Sequence, residues 1–358
     1  MSADRSIYGI FMILLAIASI GLGMLSCDDS GTSPRSDSDG GGNGGDYDPP
    51  DITENSYTGS LNTARNQHTA TLLDDGRVLV TGGFDGTEKL ASCELYNPET
   101  GKWSLTASMS EERVLHTAIL MDDGRVWVTG GSDSDNHSVI WFELFDPVSE
   151  TWSEVNYEYW KNDDPTTRME TARLAHCATL MESGKVLVSG GYVSGSSIYS
   201  RTFEFYDPDS NVCKADGSHS IYMHDRRYCH TSTLLEDGRV FVVGGYNDTD
   251  GYIGACEIFD PAQGTWTETA PMSTGTMWHT ADLLDDGRVL ISSGKNSVST
   301  FTNTCRIYNP SGNSWSATGS MRELRNRVVT TKLPDGRIFA AGNLFTKTAE
   351  IYDTDTGT

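Results

Sequence analysis

From residue 65 onward one pattern of apolar and polar positions recurs along the chain. It opens with Arg-x-x-His, followed by about five mostly apolar or small residues and an acidic Asp-Gly-Arg turn. A β-branched run, a Gly-Gly pair and a variable loop come next, and the unit ends on Glu-apolar-aromatic-Asp/Asn-Pro and a Trp. The His anchors are His68, His116, His176, His230 and His279, with Val328 at the sixth position. Successive spacings are 48, 60, 54, 49 and 49 residues. Each unit carries four strand signals. The first is the run after the His, such as His68 to Leu73, and the second is the run after the turn, such as Val78-Leu79-Val80. Between them Asp75-Gly76 is a strong hairpin signal, because a two-residue turn needs positive φ. The turn returns at Asp123-Gly124, Ser183-Gly184, Asp237-Gly238, Asp286-Gly287 and Asp335-Gly336. Glu94-Leu95-Tyr96 and its equivalents predict the third strand. Trp103, Trp152, Trp266 and Trp315 open the fourth, with Cys213 replacing Trp in the third unit.

These residues resemble the kelch β-propeller family. The diglycines Gly82-Gly83, Gly130-Gly131, Gly190-Gly191 and Gly244-Gly245 carry the likeness, together with the aromatic and Trp that follow each. Ser293-Gly294 and Gly342-Asn343 are degenerate copies. The resemblance covers residues 55–358 and implies an all-β, six-bladed kelch-type β-propeller, one four-stranded blade per unit around a channel. The sixth unit stops before its fourth strand. Ser56-Tyr57-Thr58-Gly59-Ser60-Leu61 aligns with Ser316-Ala317-Thr318-Gly319-Ser320-Met321, and both lead to Arg-Asn. An N-terminal strand at about 55–63 is therefore expected to complete the last blade and close the ring, removing two exposed edges.

The residues before the repeat read differently. Ile7 to Leu25 is uncharged and mostly apolar, and Ser26-Cys27 precedes a Gly/Ser/Asp-rich stretch. Residues 1–26 read as a signal peptide, and the small residue before Cys27 resembles a bacterial lipobox with Cys27 as the lipidated residue. Met24 departs from the branched residue that the family prefers there. An ordinary cleaved signal and an uncleaved anchor stay open, since nineteen apolar residues can just span a bilayer. Residues 27–54 lack the apolar surface to offset their ordering entropy and read as a flexible tether. The expected location is the bacterial envelope, lipid-anchored and periplasmic or surface-facing, with secretion as the alternative. The six other cysteines, 93, 177, 213, 229, 256 and 305, have spacings that select no disulfide pairing and no metal finger.

Charge narrows the partners. With 26 Lys+Arg against 50 Asp+Glu, the net charge is -24. Such a surface opposes nucleic acid and anionic lipid, leaving membrane association to the N-terminal lipid or anchor. A monomer is expected.

Antiparallel strands put the acidic turns on one face, and the variable loops and blade-to-blade connections on the other. Function concentrates on loops held by a rigid scaffold, so the variable face is the candidate site. Trp152 to His176 spans 24 residues against 13 from Trp103 to His116, and this insertion holds Tyr157, Tyr159 and Trp160. Tyr222 sits in the next long connection, and Tyr192 and Tyr246 open variable loops. Aromatics of this kind suit a protein or a glycan, or simply pack the loops onto the ring.

The repeated His follow the scaffold's symmetry and read as hydrogen bonds between blades. No metal and no cofactor is expected. Arg65, Arg113, Arg173, Arg227 and Arg325 invite two readings. Arg173 and Arg227 could help an Arg ring hold an anion, or each Arg could pair with a strand-three Glu. Pairing is favoured because the fifth unit loses both together, carrying Thr276 and Arg306. No nucleophile elbow, H-E-x-x-H or phosphate loop occurs. The expected function is a non-catalytic protein- or glycan-binding module. The alternative is a carbohydrate-active kelch enzyme, resembling sialic-acid epimerases or, less closely, galactose oxidases.

Overall fold

The computed structural model describes residues 60–153, 168–215, 221–296, 300–325, 328–333, 335–341 and 349–357. Apart from one three-residue 3-10 turn, Ser194–Ser196, the regular elements in these residues are strands. Blade 1 is formed by Thr69–Leu72, Val78–Thr81, Cys93–Asn97 and Lys102–Thr106, paired antiparallel in that order. Blades 2 to 5 repeat this four-stranded meander, and blade 6 shows three strands, Val329–Lys332, Ile338–Ala341 and Ala349–Tyr352. The six blades form a β-propeller. Neighbouring first strands lie side by side from blade 1 to blade 6, which makes them the inner ring. Of the closing segment expected at 55–63, residues 55–59 lie outside the described residues, and 60–63 are not in a strand.

The core sits between blades. Leu79, Cys93 and Leu95 of blade 1 pack against Val126, Val128 and Phe145 of blade 2. Trp127 of blade 2 stacks on Tyr206 of blade 3 at 4.8 Å, and Phe241 of blade 4 on Tyr308 of blade 5 at 4.2 Å. Each blade thus buries its apolar faces on its neighbours, as expected of a repeat architecture.

The sequence motif is the lock of each seam. Gly130 of blade 2 has φ 64°, and a Cβ there would lie 2.5 Å from both the Arg173 carbonyl oxygen and His176 Cε1. Only glycine admits that approach. The Gly131 N–H then donates to the same Arg173 oxygen at 2.9 Å. His176 Nε2 meets Thr117 Oγ1 of blade 2 at 2.9 Å, and His116 Nε2 reaches Thr81 and Thr69 of blade 1 at 3.0 and 3.1 Å. Burial, with the nearby Arg113, holds the His116 imidazole down at about 3, so it stays neutral. The repeated His therefore join blades, as the sequence suggested.

One place in the ring differs. Leu72 and Leu105 on blade 1 are 65% and 64% exposed, and Val329 and Ile351 on blade 6 are 68% and 46% exposed. Tyr96 of blade 1 is half-buried, whereas its equivalents Phe145, Tyr206, Phe259 and Tyr308 are fully buried. By the register of the repeat, these are the faces that correspond to the seam between blades 6 and 1. The described cysteines are all free thiols, and burial pushes Cys93 and Cys256 up to about 12.

Candidate functional site

Two of the variable loops form small hairpins of their own. In blade 3, Tyr192–Val193 pairs with Ile198–Tyr199, and in blade 4 Tyr246–Asn247 pairs with Gly251–Tyr252. Tyr228, two residues before His230, bridges to Tyr246. The result is one contiguous cluster of five tyrosines across the blade 3–4 seam. Tyr199 is its hub, with ring centroids 5.2 Å from Tyr192, 5.2 Å from Tyr228 and 6.1 Å from Tyr246. Tyr252 extends it, 5.3 Å beyond Tyr246. Rings meet tilted or edge to face, the arrangement that their quadrupoles favour.

Among the described residues the hydroxyls of Tyr192, Tyr199, Tyr246 and Tyr252 make no hydrogen bond to the protein, and none is sealed from solvent. Burial raises the Tyr199 and Tyr246 hydroxyls above the usual phenol range, and the exposed Asp248 carboxylate adds to both shifts. Burial, helped by Tyr246, pushes Tyr252 up to about 12. Tyr199, Tyr246 and Tyr252 are neutral donors at physiological pH.

Inward from the cluster lies the channel mouth. Gln67, Leu115, Ala175, Cys229 and Trp278 occupy one position in five successive blades, each with φ between 49° and 57°. Each N–H from Leu115 to Trp278 donates to the carbonyl of the preceding member, at 3.3, 2.9, 2.9 and 3.1 Å. Among the described residues a head-to-tail backbone arc over five blades therefore lines the mouth, with five different side chains. Trp278 Nε1 donates to Cys229 Sγ at 2.9 Å. Lys295 Nζ lies 5.6 Å from the Trp278 ring centroid and 5.7 Å from that of Phe301.

The sequence-predicted residues fall in different places. Tyr192 and Tyr246 join the cluster. Tyr222, 36% exposed, lies under the Arg201 guanidinium at 4.8 Å. Tyr157, Tyr159, Trp160 and Cys27 lie outside the described residues. Arg173 and Arg227 are fully buried and bound to Glu204 at 2.5 Å and Glu257 at 2.6 Å. Their Nη1 atoms donate to backbone carbonyls of Gly190 and Gly244. Each thus has an internal partner and no opening to solvent, which corrects the anion-binding expectation in favour of the pairing. In blade 5, where Thr276 and Arg306 replace the pair, Arg306 is only partly buried and reaches the Thr274 carbonyl at 3.5 Å. Sequence reasoning missed Tyr199, Tyr228 and Tyr252. The readable signal was the second Tyr in each of the loops that begin at Tyr192 and Tyr246.

The Kelch motif matches residues 65–110, 114–157 and 226–273. The chain is a kelch-repeat β-propeller. Among solved structures the propeller is similar to a fungal alcohol oxidase of the AA5 family in complex with copper, at TM-score 0.61 and 17% identity. The match covers 82% of this chain and 64% of that enzyme, so the chain spans less than two thirds of its length, and the likeness is one of fold. No curated protein matches the chain. Among the described residues no group of three or more His, Cys, Asp or Glu could hold a metal ion. His116, His176, His230 and His279 are instead buried in the seams between blades.

Proposed function

We propose that this propeller is a non-catalytic binding module, displayed on a tether from a bacterial envelope membrane, that engages a protein or glycan through its variable face. The observation that carries the reading is the tyrosine cluster over blades 3 and 4. Four phenol hydroxyls without a protein partner stand at the edges of rings already locked by mutual packing. A preorganised aromatic surface loses little entropy on binding, which is why Tyr is enriched at interface hot spots. The net charge of -24 favours neutral or cationic partners. The test is capture of envelope proteins and surface glycans by the full-length chain, by Tyr246→Ala and by Glu236→Gln on the opposite, acidic-turn face. Loss of capture with Tyr246→Ala alone supports the reading. Capture that survives Tyr246→Ala but not Glu236→Gln places the site on the wrong face for it.

A further inference from the structure

We infer that the tyrosine cluster of blades 3 and 4 is a subsite for a neutral oligosaccharide; this rests on the binding reading above and names its ligand class. Three features of the cluster narrow the chemistry. First, it is amphipathic at short range. The rings offer apolar faces, while the hydroxyls of Tyr192, Tyr199, Tyr246 and Tyr252 keep their hydrogen-bonding capacity for something outside the protein. A purely apolar partner would strip water from those hydroxyls without replacing it, a cost of about 1–3 kcal/mol for each group left unsatisfied. The ligand therefore needs C–H surface and hydroxyls interleaved on one face, as a pyranose has.

Second, the charge that acts on these phenols is negative. Asp248 is exposed in the turn of the Tyr246–Asn247 and Gly251–Tyr252 hairpin, and its carboxylate adds to the upward shift that burial gives Tyr199 and Tyr246. A carboxylate there accepts sugar hydroxyls through charge-assisted hydrogen bonds and repels sialylated, sulfated or phosphorylated ligands. Third, the rings extend across the seam. Tyr199, Tyr246 and Tyr252 follow one another at centroid spacings of 6.1 and 5.3 Å, with the buried Tyr192 packed 5.2 Å from Tyr199. The geometry suits an oligosaccharide laid along the seam rather than a monosaccharide.

The experiment is calorimetric titration of the full-length chain with neutral hexasaccharides (cellohexaose, maltohexaose and xylohexaose), with sialyllactose as the anionic probe and choline as the cationic one. At least one neutral hexasaccharide should bind, and sialyllactose and choline should not. Tyr199→Ala should weaken that binding roughly 30-fold or more, the cost of losing an aromatic hot spot. Tyr199→Phe keeps the ring and should lose only about 3- to 10-fold, the value of one hydrogen bond. Because Tyr199→Phe preserves the packing, it separates a ligand effect from misfolding, with circular dichroism as the check on both variants. No binding of any neutral hexasaccharide at millimolar concentration overturns the inference. So does tighter binding of sialyllactose or choline, or binding that ignores both Tyr199 changes. A protein captured in a Tyr246-dependent manner with no saccharide binding would leave the binding function standing and remove only the ligand class.

Discussion

Asp282 breaks the repeat in the innermost strand of blade 5, and its environment predicts a pH-dependent stability. The same position holds Thr71, Thr179 and Thr233 in blades 1, 3 and 4. Thr179 pairs hydroxyl to hydroxyl with Ser232 of the next blade at 2.6 Å, and Asp282 Oδ1 accepts from Thr330 Oγ1 of blade 6 at 2.9 Å. The second carboxylate oxygen is buried without a partner. Burial outweighs the hydrogen bonds from Thr330 and Thr280 and pushes the carboxyl up to about 6 from 3.8. A raised acid pKa means that the folded state binds the proton more tightly than the unfolded one. The folded protein therefore carries a penalty when Asp282 is ionised, fully present above pH 6 and relieved as the pH falls from 6 toward 4. At 1.36 kcal/mol per unit the penalty is about 3 kcal/mol. Asp282→Thr restores the residue of the other blades and leaves Thr330 a hydroxyl to pair with. Urea unfolding between pH 4 and 8 should show the variant more stable than wild type by about 3 kcal/mol at pH 7.5. The difference should shrink through pH 6 and 5 and largely vanish at pH 4. A constant difference across that range, or a variant less stable at pH 7.5, would refute the argument.

Arg173→Ala strands Glu204 in a fully buried site and should cost about 3–5 kcal/mol in urea unfolding, with part of the loss recovered by adding Glu204→Ala. Gly130→Ala should destabilise strongly, since its Cβ would meet Arg173 and His176 at 2.5 Å; Gly101→Ala, also at positive φ but with open space around it, should cost only about 1 kcal/mol by thermal melt. Deleting residues 55–59 should lower the melting temperature or cause aggregation, whereas deleting 28–50 should not; equal melting temperatures would count against closure by the N-terminal segment. Cys27→Ala should abolish lipid labelling and move the chain out of the membrane fraction, and wild-type protein found wholly soluble would exclude the lipoprotein reading.

What was legible in the sequence was what the repeat enforces from blade to blade. The Asp-Gly turns, the diglycines and the Arg–Glu pairing are demands of one seam geometry, so each copy confirms the others, and the joint loss at Thr276 and Arg306 exposed the pairing. Properties that depend on a single blade were harder to read. Tyr192 and Tyr246 stood out as loop openings, but their union with Tyr199, Tyr228 and Tyr252 depends on two hairpins inside loops of variable sequence. Asp282 reads along the chain as one more surface acid between Ala281 and Leu283, and only the structure shows its carboxylate turned into the seam with blade 6. The exposed faces of blades 1 and 6 had no sequence signal at all. Leu72 occupies the same position as Leu120 and Leu180, which pack on the preceding blade, and the difference lies entirely in what stands opposite.

The channel mouth shows how the scaffold separates structure from function. Gln67, Leu115, Ala175, Cys229 and Trp278 share one left-handed backbone conformation, joined in succession by backbone hydrogen bonds. A conformation with φ near 50° is uncommon for residues with a side chain, and glycine would adopt it without strain. Where the seams need a glycine for close approach, as at Gly130 and Gly131, the repeat supplies one. At the mouth it does not, and the five side chains differ in size and polarity. The backbone there is dictated by symmetry, and the side chains are not. The same holds one step outward, where the residue after the diglycine is Phe84, Ser132, Tyr192, Tyr246 or Lys295. Packing that repeats cannot explain choices that do not repeat. The tyrosines at this position in blades 3 and 4, against Ser132 of blade 2 and Lys295 of blade 5, are therefore where selection by a ligand, rather than by the fold, has room to act.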